Sequence, residues 1–216
     1  MSLLDHQRLS AHFKPGQSAL GHHWILKDGD DQPVGRTKLY YEGAGKTLGR
    51  MMRATGLSTA GTIHATVRDA SGEDRFRVVS KNKGSEPRLD LEDASGAPIG
   101  SAMRRELSLD LLAPPSDTPV GRIVRETKED MAFAIQDARG ERVGVLSKQP
   151  VKTVMPSLYN MVFLPDVASN QIAFAATMYL GFAGSREYHL VVERQGLPDP
   201  LRTLVGLSPV IAAYAY

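Results

Sequence analysis

The chain has no cysteine among its 216 residues, which excludes disulfides, thiolate metal sites and cysteine nucleophiles together. That suits a reducing compartment, so the expected location is cytoplasmic. Aromatic residues make up only 6%, too few to interleave with the basic residues as stacking on nucleic-acid bases requires. A surplus of one charge is also missing. Lys and Arg total 26 against 24 for Asp and Glu, a net charge of +2, whereas a polyanion-binding domain usually carries a marked positive excess.

No long hydrophobic run is present either. The longest apolar stretch, Ile172 to Gly184, is interrupted by Thr177 and falls short of the roughly 20 residues that cross a bilayer. No transmembrane segment is therefore expected. The first 16 residues carry Asp5, Arg8 and Lys14 without an apolar centre, which does not fit a secretory leader.

Catalytic and cofactor motifs are incomplete in turn. Glu42-Gly43-Ala44-Gly45-Lys46-Thr47 ends like a phosphate-binding loop but has Tyr40 where the first glycine belongs. Asp28-Gly29-Asp30-Asp31 begins like a calcium loop, yet Pro33 and Leu39 occupy the positions that need Gly and Glu. A hairpin turn with solvated carboxylates is the better reading. Gly56-Leu57-Ser58-Thr59-Ala60 and Gly16-Gln17-Ser18-Ala19-Leu20 lack the last glycine of a nucleophile elbow. The histidines, His6, His12, His22, His23, His64 and His189, show no metal-ligand spacing. His22 and His23 are adjacent and face opposite ways on a strand; His64 and His189 read as ordinary sheet residues. No enzyme, cofactor or metal site is expected.

What the chain does contain is a recurring hairpin pattern. An alternating segment ends at Asp, a turn with Gly follows, and an aliphatic-Gly pair opens the return. Leu89 to Arg104 is one copy, with Asp93, Gly96 and Gly100; Phe133 to Lys148 is a second, with Asp137, Gly140 and Gly144 in the same register. Trp24 to Lys38 is a looser third, with Asp28 and Gly35. His64 to Val78 is a fourth, with Asp69 and Gly72 but no second glycine. Leu48-Gly49-Arg50 and Val120-Gly121-Arg122 are half-copies. Period-two alternation marks half-buried strands. Asp and Gly supply the turn geometry, and a repeated glycine within a strand points to bulges or close backbone approach. Curved hairpins repeated this way predict a mainly β, antiparallel barrel.

Residues 168–183 carry Ile172, Phe174, Met178, Tyr179 and Phe182 with hardly a polar face, and a helix apolar all round is a buried one. Asp166 or Ser169 caps it and Gly184 ends it in this reading. Its length, roughly 24 Å, suits a central helix. The tail from Leu201 to Tyr216 is equally apolar, but Gly206 and Pro209 are expected to interrupt a helix there. The organisation expected is an N-terminal extension over 1–19 and one barrel domain over 20–216.

The repeated aromatic/aliphatic-x-Asp-x-x-Gly-x-x-aliphatic-Gly hairpins, followed by Leu164-Pro165-Asp166 and the apolar run to Phe182, resemble the tubby C-terminal-like superfamily. The LURP-one-related proteins and phospholipid scramblases are closest in style. The resemblance covers most of residues 20–194. It implies a barrel of about 12 strands around one hydrophobic helix, and a non-catalytic module that binds anionic phospholipid, such as phosphoinositide, at the membrane surface. Basic residues at the predicted hairpin ends give candidate head-group ligands: Arg50, Arg53, Arg104, Arg105, Arg122, Arg125 and Lys128, with Lys81 and Lys83 nearby. The bland reading of the same residues is a solvated rim that blunts sheet edges. A scramblase-like lipid-transfer protein and a barrel holding a small ligand are the alternatives.

Overall fold

The computed structural model describes residues 3–15, 22–41, 62–81, 88–125, 131–150 and 186–215. Twelve antiparallel strands form one closed barrel. They are β1 (Arg8–Pro15), β2 (His22–Asp28), β3 (Pro33–Tyr41), β4 (Thr62–Asp69), β5 (Asp74–Lys81) and β6 (Arg88–Asp93). The second half comprises β7 (Pro98–Arg104), β8 (Ser108–Ala113), β9 (Thr118–Val124), β10 (Ala132–Asp137), β11 (Arg142–Pro150) and β12 (Arg186–Val192). Each strand pairs with its neighbours in sequence, and β1 pairs with β12 to close the ring. Closure removes the exposed edges that would otherwise invite association through unpaired backbone groups.

Alternation sets the two faces. Leu89 and Leu91 on β6, Leu109 and Leu111 on β8, and Phe133 and Ile135 on β10 point into the lumen and are buried. Their neighbours Asp90, Asp110 and Gln136 lie on the other face of the sheet and are only partly buried.

The recurring Asp-x-x-Gly segments are one turn used repeatedly. At Asp69, Asp93 and Asp137 the backbone N–H donates to the carbonyl four residues on, at 2.9 to 3.0 Å, and the following Gly N–H returns to the Asp carbonyl at 3.0 Å. Gly72, Gly96 and Gly140 hold φ of +86°, +88° and +81°, the left-handed position that closes a type I turn into a bulge. The Asp carboxylate adds a hydrogen bond from the N–H of Glu73, Ala97 or Glu141. In the β2–β3 copy Asp28 makes the same contact with Gln32 N–H, and Asp31 takes the positive φ. The carboxylates that suggested a calcium loop are therefore engaged in the turn: Asp28 on Asp30 and Gln32 amides, Asp31 on Lys27 at 2.8 Å.

The Ser71 hydroxyl, with the Arg75 guanidinium and the Glu73 amide, holds the Asp69 carboxyl down at about 2. Hydrogen bonds to the charged form have this effect. A depressed carboxylate favours the folded state at neutral pH, and that contribution is lost as pH falls below the ordinary carboxylate range toward 2. Carboxyl chemical shifts followed by NMR should give Asp69 a midpoint near 2, moving upward in Ser71→Ala. An unshifted Asp69 midpoint would refute the turn assignment.

A register shift precedes each of these turns, between Leu26 and Lys27, Val67 and Arg68, Leu91 and Glu92, and Ile135 and Gln136. Just beyond the turn, Gly35, Gly100 and Gly144 sit opposite the buried Leu26, Leu91 and Ile135. In the copy without a second glycine, Phe76 faces Val67 at that point. The expected bulges and close approach are thus both present.

Two features differ from the sequence expectation. First, residues 8–15, assigned there to an N-terminal extension, are barrel strand β1, with Leu9 and Ala11 buried. Ser10 and His12, alternating with Leu9 and Ala11, carry the strand's outer face, so the alternation is short and mixed in chemistry. Second, the tail is helical: α1 (Leu201–Gly206) and α2 (Ser208–Ala215) run through the barrel. Leu204, Leu207, Val210, Ile211 and Ala212 are fully buried within one hydrophobic cluster with the strands. Pro209 falls in the first turn of α2, where a missing N–H costs nothing. Gly206 lies against Leu4, whose Cδ2 a Cβ there would meet at 2.6 Å, so this glycine serves close packing. The helix expected at 168–183 lies outside the described residues.

α1 begins at the end bearing the Asp turns, where Leu201 packs at Gly121, and Arg202 pairs with Asp5 of the 3-10 turn Leu3–Asp5 at 2.7 Å. α2 ends at the opposite mouth. There Tyr214 Oη meets Thr37 Oγ1 at 3.2 Å, and Arg104 Nη1 donates to the Ala215 carbonyl at 3.1 Å.

Candidate functional site

The described arginines of the predicted basic cluster lie on or just after two strands, β7 and β9, on either side of β8. β7 ends at Arg104 and turns through Arg105, Glu106 and Leu107 into β8; Arg105 N–H to Ser108 O and Arg125 N–H to Leu107 O, both 2.8 Å, fix that corner. Arg122 lies on β9 opposite Asp110 of β8. The pleat then separates the four arginines into two pairs.

Arg105 and Arg122 are exposed on the outer wall and share Asp110, at 3.4 and 3.6 Å. These long ion pairs, with both guanidinium groups exposed, hold the arginine charges loosely. Arg104 and Arg125 lie instead at the mouth. Arg104 sits on the C-terminal carbonyl of α2, where a cation suits the helix dipole. Arg125 Cζ stands 5.2 Å from the centroid of the buried Phe133 ring, a cation–π contact. The single patch expected from sequence is therefore two arrangements, and the mouth pair is tied into the fold. Arg50, Arg53, Lys83 and Lys128 lie outside the described residues; Lys81 ends β5.

Arg122 also lines an open cleft of about 280 Å³ with Gln136 and Arg139. Asp137 lies in the same cleft, but its carboxylate is occupied by the turn amides and by Arg194 at 3.2 Å. Arg139, in the β10–β11 turn, was missed by sequence reasoning because nothing local links it to Arg122. Only the pairing of β9 with β10, which sets Gln136 opposite Arg122, brings them together. Two larger clefts, of about 320 and 380 Å³, flank the crossover from β12 to α1 and share Arg194, Gly196 and Leu197.

A second grouping lies at the barrel seam. Ser10 Oγ is 2.8 Å from His12 Nε2, and His12 Nδ1 is 2.9 Å from Glu187 Oε1. His189 Nε2 is 3.5 Å from Glu187 Oε2, and the two imidazole rings meet edge to face with centroids 5.6 Å apart. The sequence signals are Ser10-x-His12 and Glu187-x-His189, which period two places on one face each; their meeting depends on the β1–β12 register. Among the described residues no group of three or more acidic or histidine side chains could hold a metal ion. No helix among them is long and apolar enough to cross a membrane. Comparison with protein-family models, curated proteins and solved structures finds no match to this chain.

Proposed function

We propose that this barrel is a binding module that meets anionic phospholipid at a membrane surface through the outer wall around β9 and β10. The observation that carries the reading is the cleft that Arg122, Arg139 and Gln136 line together. Two guanidinium groups with an amide suit the oxygens of a phosphate head group. The filled lumen supports it too. With Leu204, Leu207, Val210 and Ile211 buried along the axis, a ligand is better placed outside the barrel than within it. A twelve-stranded barrel wound around a hydrophobic helix is also what the resemblance to tubby-like domains implies. The protein would then be peripheral to the membrane, with no chemistry required at this cleft.

Co-sedimentation with vesicles of phosphatidylcholine, with and without phosphatidylserine, at two salt concentrations tests this. Binding should need the anionic lipid and weaken with salt. Each basic residue near such a surface contributes about 1 kcal/mol, so Arg122→Ala combined with Arg139→Ala should weaken binding about tenfold or more. Equal binding to neutral vesicles would favour lipid insertion of the scramblase type. Anionic binding that the double variant leaves intact would move the site elsewhere.

A further inference from the structure

Four polar side chains on the outer face of the seam have an order that a solvated sheet surface does not require. Ser10 and His12 alternate with the buried Leu9 and Ala11 on β1; Glu187 and His189 alternate with the buried Tyr188 and Leu190 on β12. The register sets His12 directly opposite Glu187 and Ser10 opposite His189.

The atoms engaged fix the proton positions. A carboxylate only accepts, so the 2.9 Å contact makes His12 Nδ1 the donor to Glu187 Oε1. In the neutral ring Nε2 then carries the lone pair and accepts the Ser10 hydroxyl proton at 2.8 Å. Hydroxyl, imidazole and carboxylate thus follow one another through the two ring nitrogens in the sequence that activates a serine nucleophile. Ser10 is largely buried, with 8% of its surface exposed. On its other side Ser10 Oγ has the Lys27 backbone carbonyl of β2 at 3.5 Å, a much longer contact than the one to His12.

We infer that Ser10 is a nucleophile for acyl transfer from small carboxylic esters, with His12 as its general base and Glu187 as a positioning residue. Ser10 Oγ bonds to the ester carbonyl carbon while its proton passes to His12 Nε2. The C–O bond to the alcohol breaks, and the alcohol departs with that proton. Water then attacks the acyl-serine and gives a proton to His12. The bond to Oγ breaks, the acid is released, and the proton returns to Ser10. Glu187 holds the imidazole in the required tautomer and stabilises the imidazolium formed in each half. This site is separate from the Arg122–Arg139 cleft, with β10 and β11 lying between β9 and β12.

The test is labelling of the full chain with a fluorophosphonate probe, mapped by peptide mass spectrometry, alongside p-nitrophenyl acetate hydrolysis. One equivalent should attach at Ser10 and none in Ser10→Ala, with folding checked by circular dichroism. His12→Ala should slow labelling at least about 100-fold. Glu187→Ala should slow labelling, and Glu187→Gln, whose amide oxygen can still accept from His12 Nδ1–H, should recover part of the rate, a rescue that a merely structural role would not show. Folded wild-type protein that takes no label, or label that persists in Ser10→Ala, overturns the inference.

Discussion

Ile211→Asp should yield no soluble folded protein. Ile211 is fully buried in α2, in the same cluster as α1 and side chains from around the barrel wall. A carboxylate there would be charged and unpaired, and such burial costs far more than a lost contact. The milder Leu204→Ala keeps the site apolar but leaves a cavity beside Gly100, against which Leu204 packs. It should cost about 2–5 kcal/mol, a large share of the about 5–15 kcal/mol available to a domain. Thermal denaturation and soluble yield read both variants. A folded Ile211→Asp protein with an unchanged melting temperature would mean that the tail does not fill the barrel.

Gly100→Val should lower the melting temperature by several degrees, and Gly144→Val should do the same at its equivalent position. A Cβ on Gly100 would stand 2.6 Å from the Leu112 carbonyl oxygen and 3.1 Å from Leu204 Cδ1. Side chain and backbone are both in the way, so strand and helix must shift together. On Gly144 the obstacle is the Val191 carbonyl oxygen at 2.8 Å. Overpacking of this kind typically costs about 1–3 kcal/mol, and in a chain of this size each kcal/mol moves the midpoint by about 2–4 °C. Substituting Gly96 tests a different requirement. Nothing lies within 4 Å of a Cβ there, but φ is +88°, so Gly96→Val would be strained by its backbone alone. Melting temperatures unchanged in both Gly100→Val and Gly144→Val would break the equivalence of the repeats.

The filled axis and the staggered hairpins bear on function through what they leave available. Lumen positions go to packing, so polar chemistry is displaced to the outer wall and the two rims. The turn carboxylates are largely committed as well: Asp69, Asp93 and Asp137 each accept amides within their own turns. Arg88 is another committed cation, held by Asp90 and by both oxygens of Asp117. Against that background Arg122, whose contact to Asp110 is long, and the ordered seam residues differ from their surroundings.

The barrel was legible in the sequence because its cause is local. Each hairpin carries its own period-two alternation, an Asp whose carboxylate closes the turn, and a glycine where φ must be positive. The second glycine in shared register announced a recurrent close approach before any partner strand was known. Which apolar segment fills the axis was not legible. Pro and Gly read as breakers in the tail, yet Pro209 falls where a helix begins and Gly206 where Leu4 presses closest; both facts belong to neighbours in space. The same limit applied to the sites. Sequence marked Arg104, Arg105, Arg122 and Arg125 as neighbours by strand end, but the pleat divided them. Arg139 joined Arg122, and Ser10 and His12 met Glu187, only through strand pairing. The sequence alone thus determined the repeated hairpin, since turn chemistry and alternation act within a few residues. Tertiary structure decided the plug and the candidate sites, because ring closure between β1 and β12 and the register across each pair are set by contacts far apart in the chain.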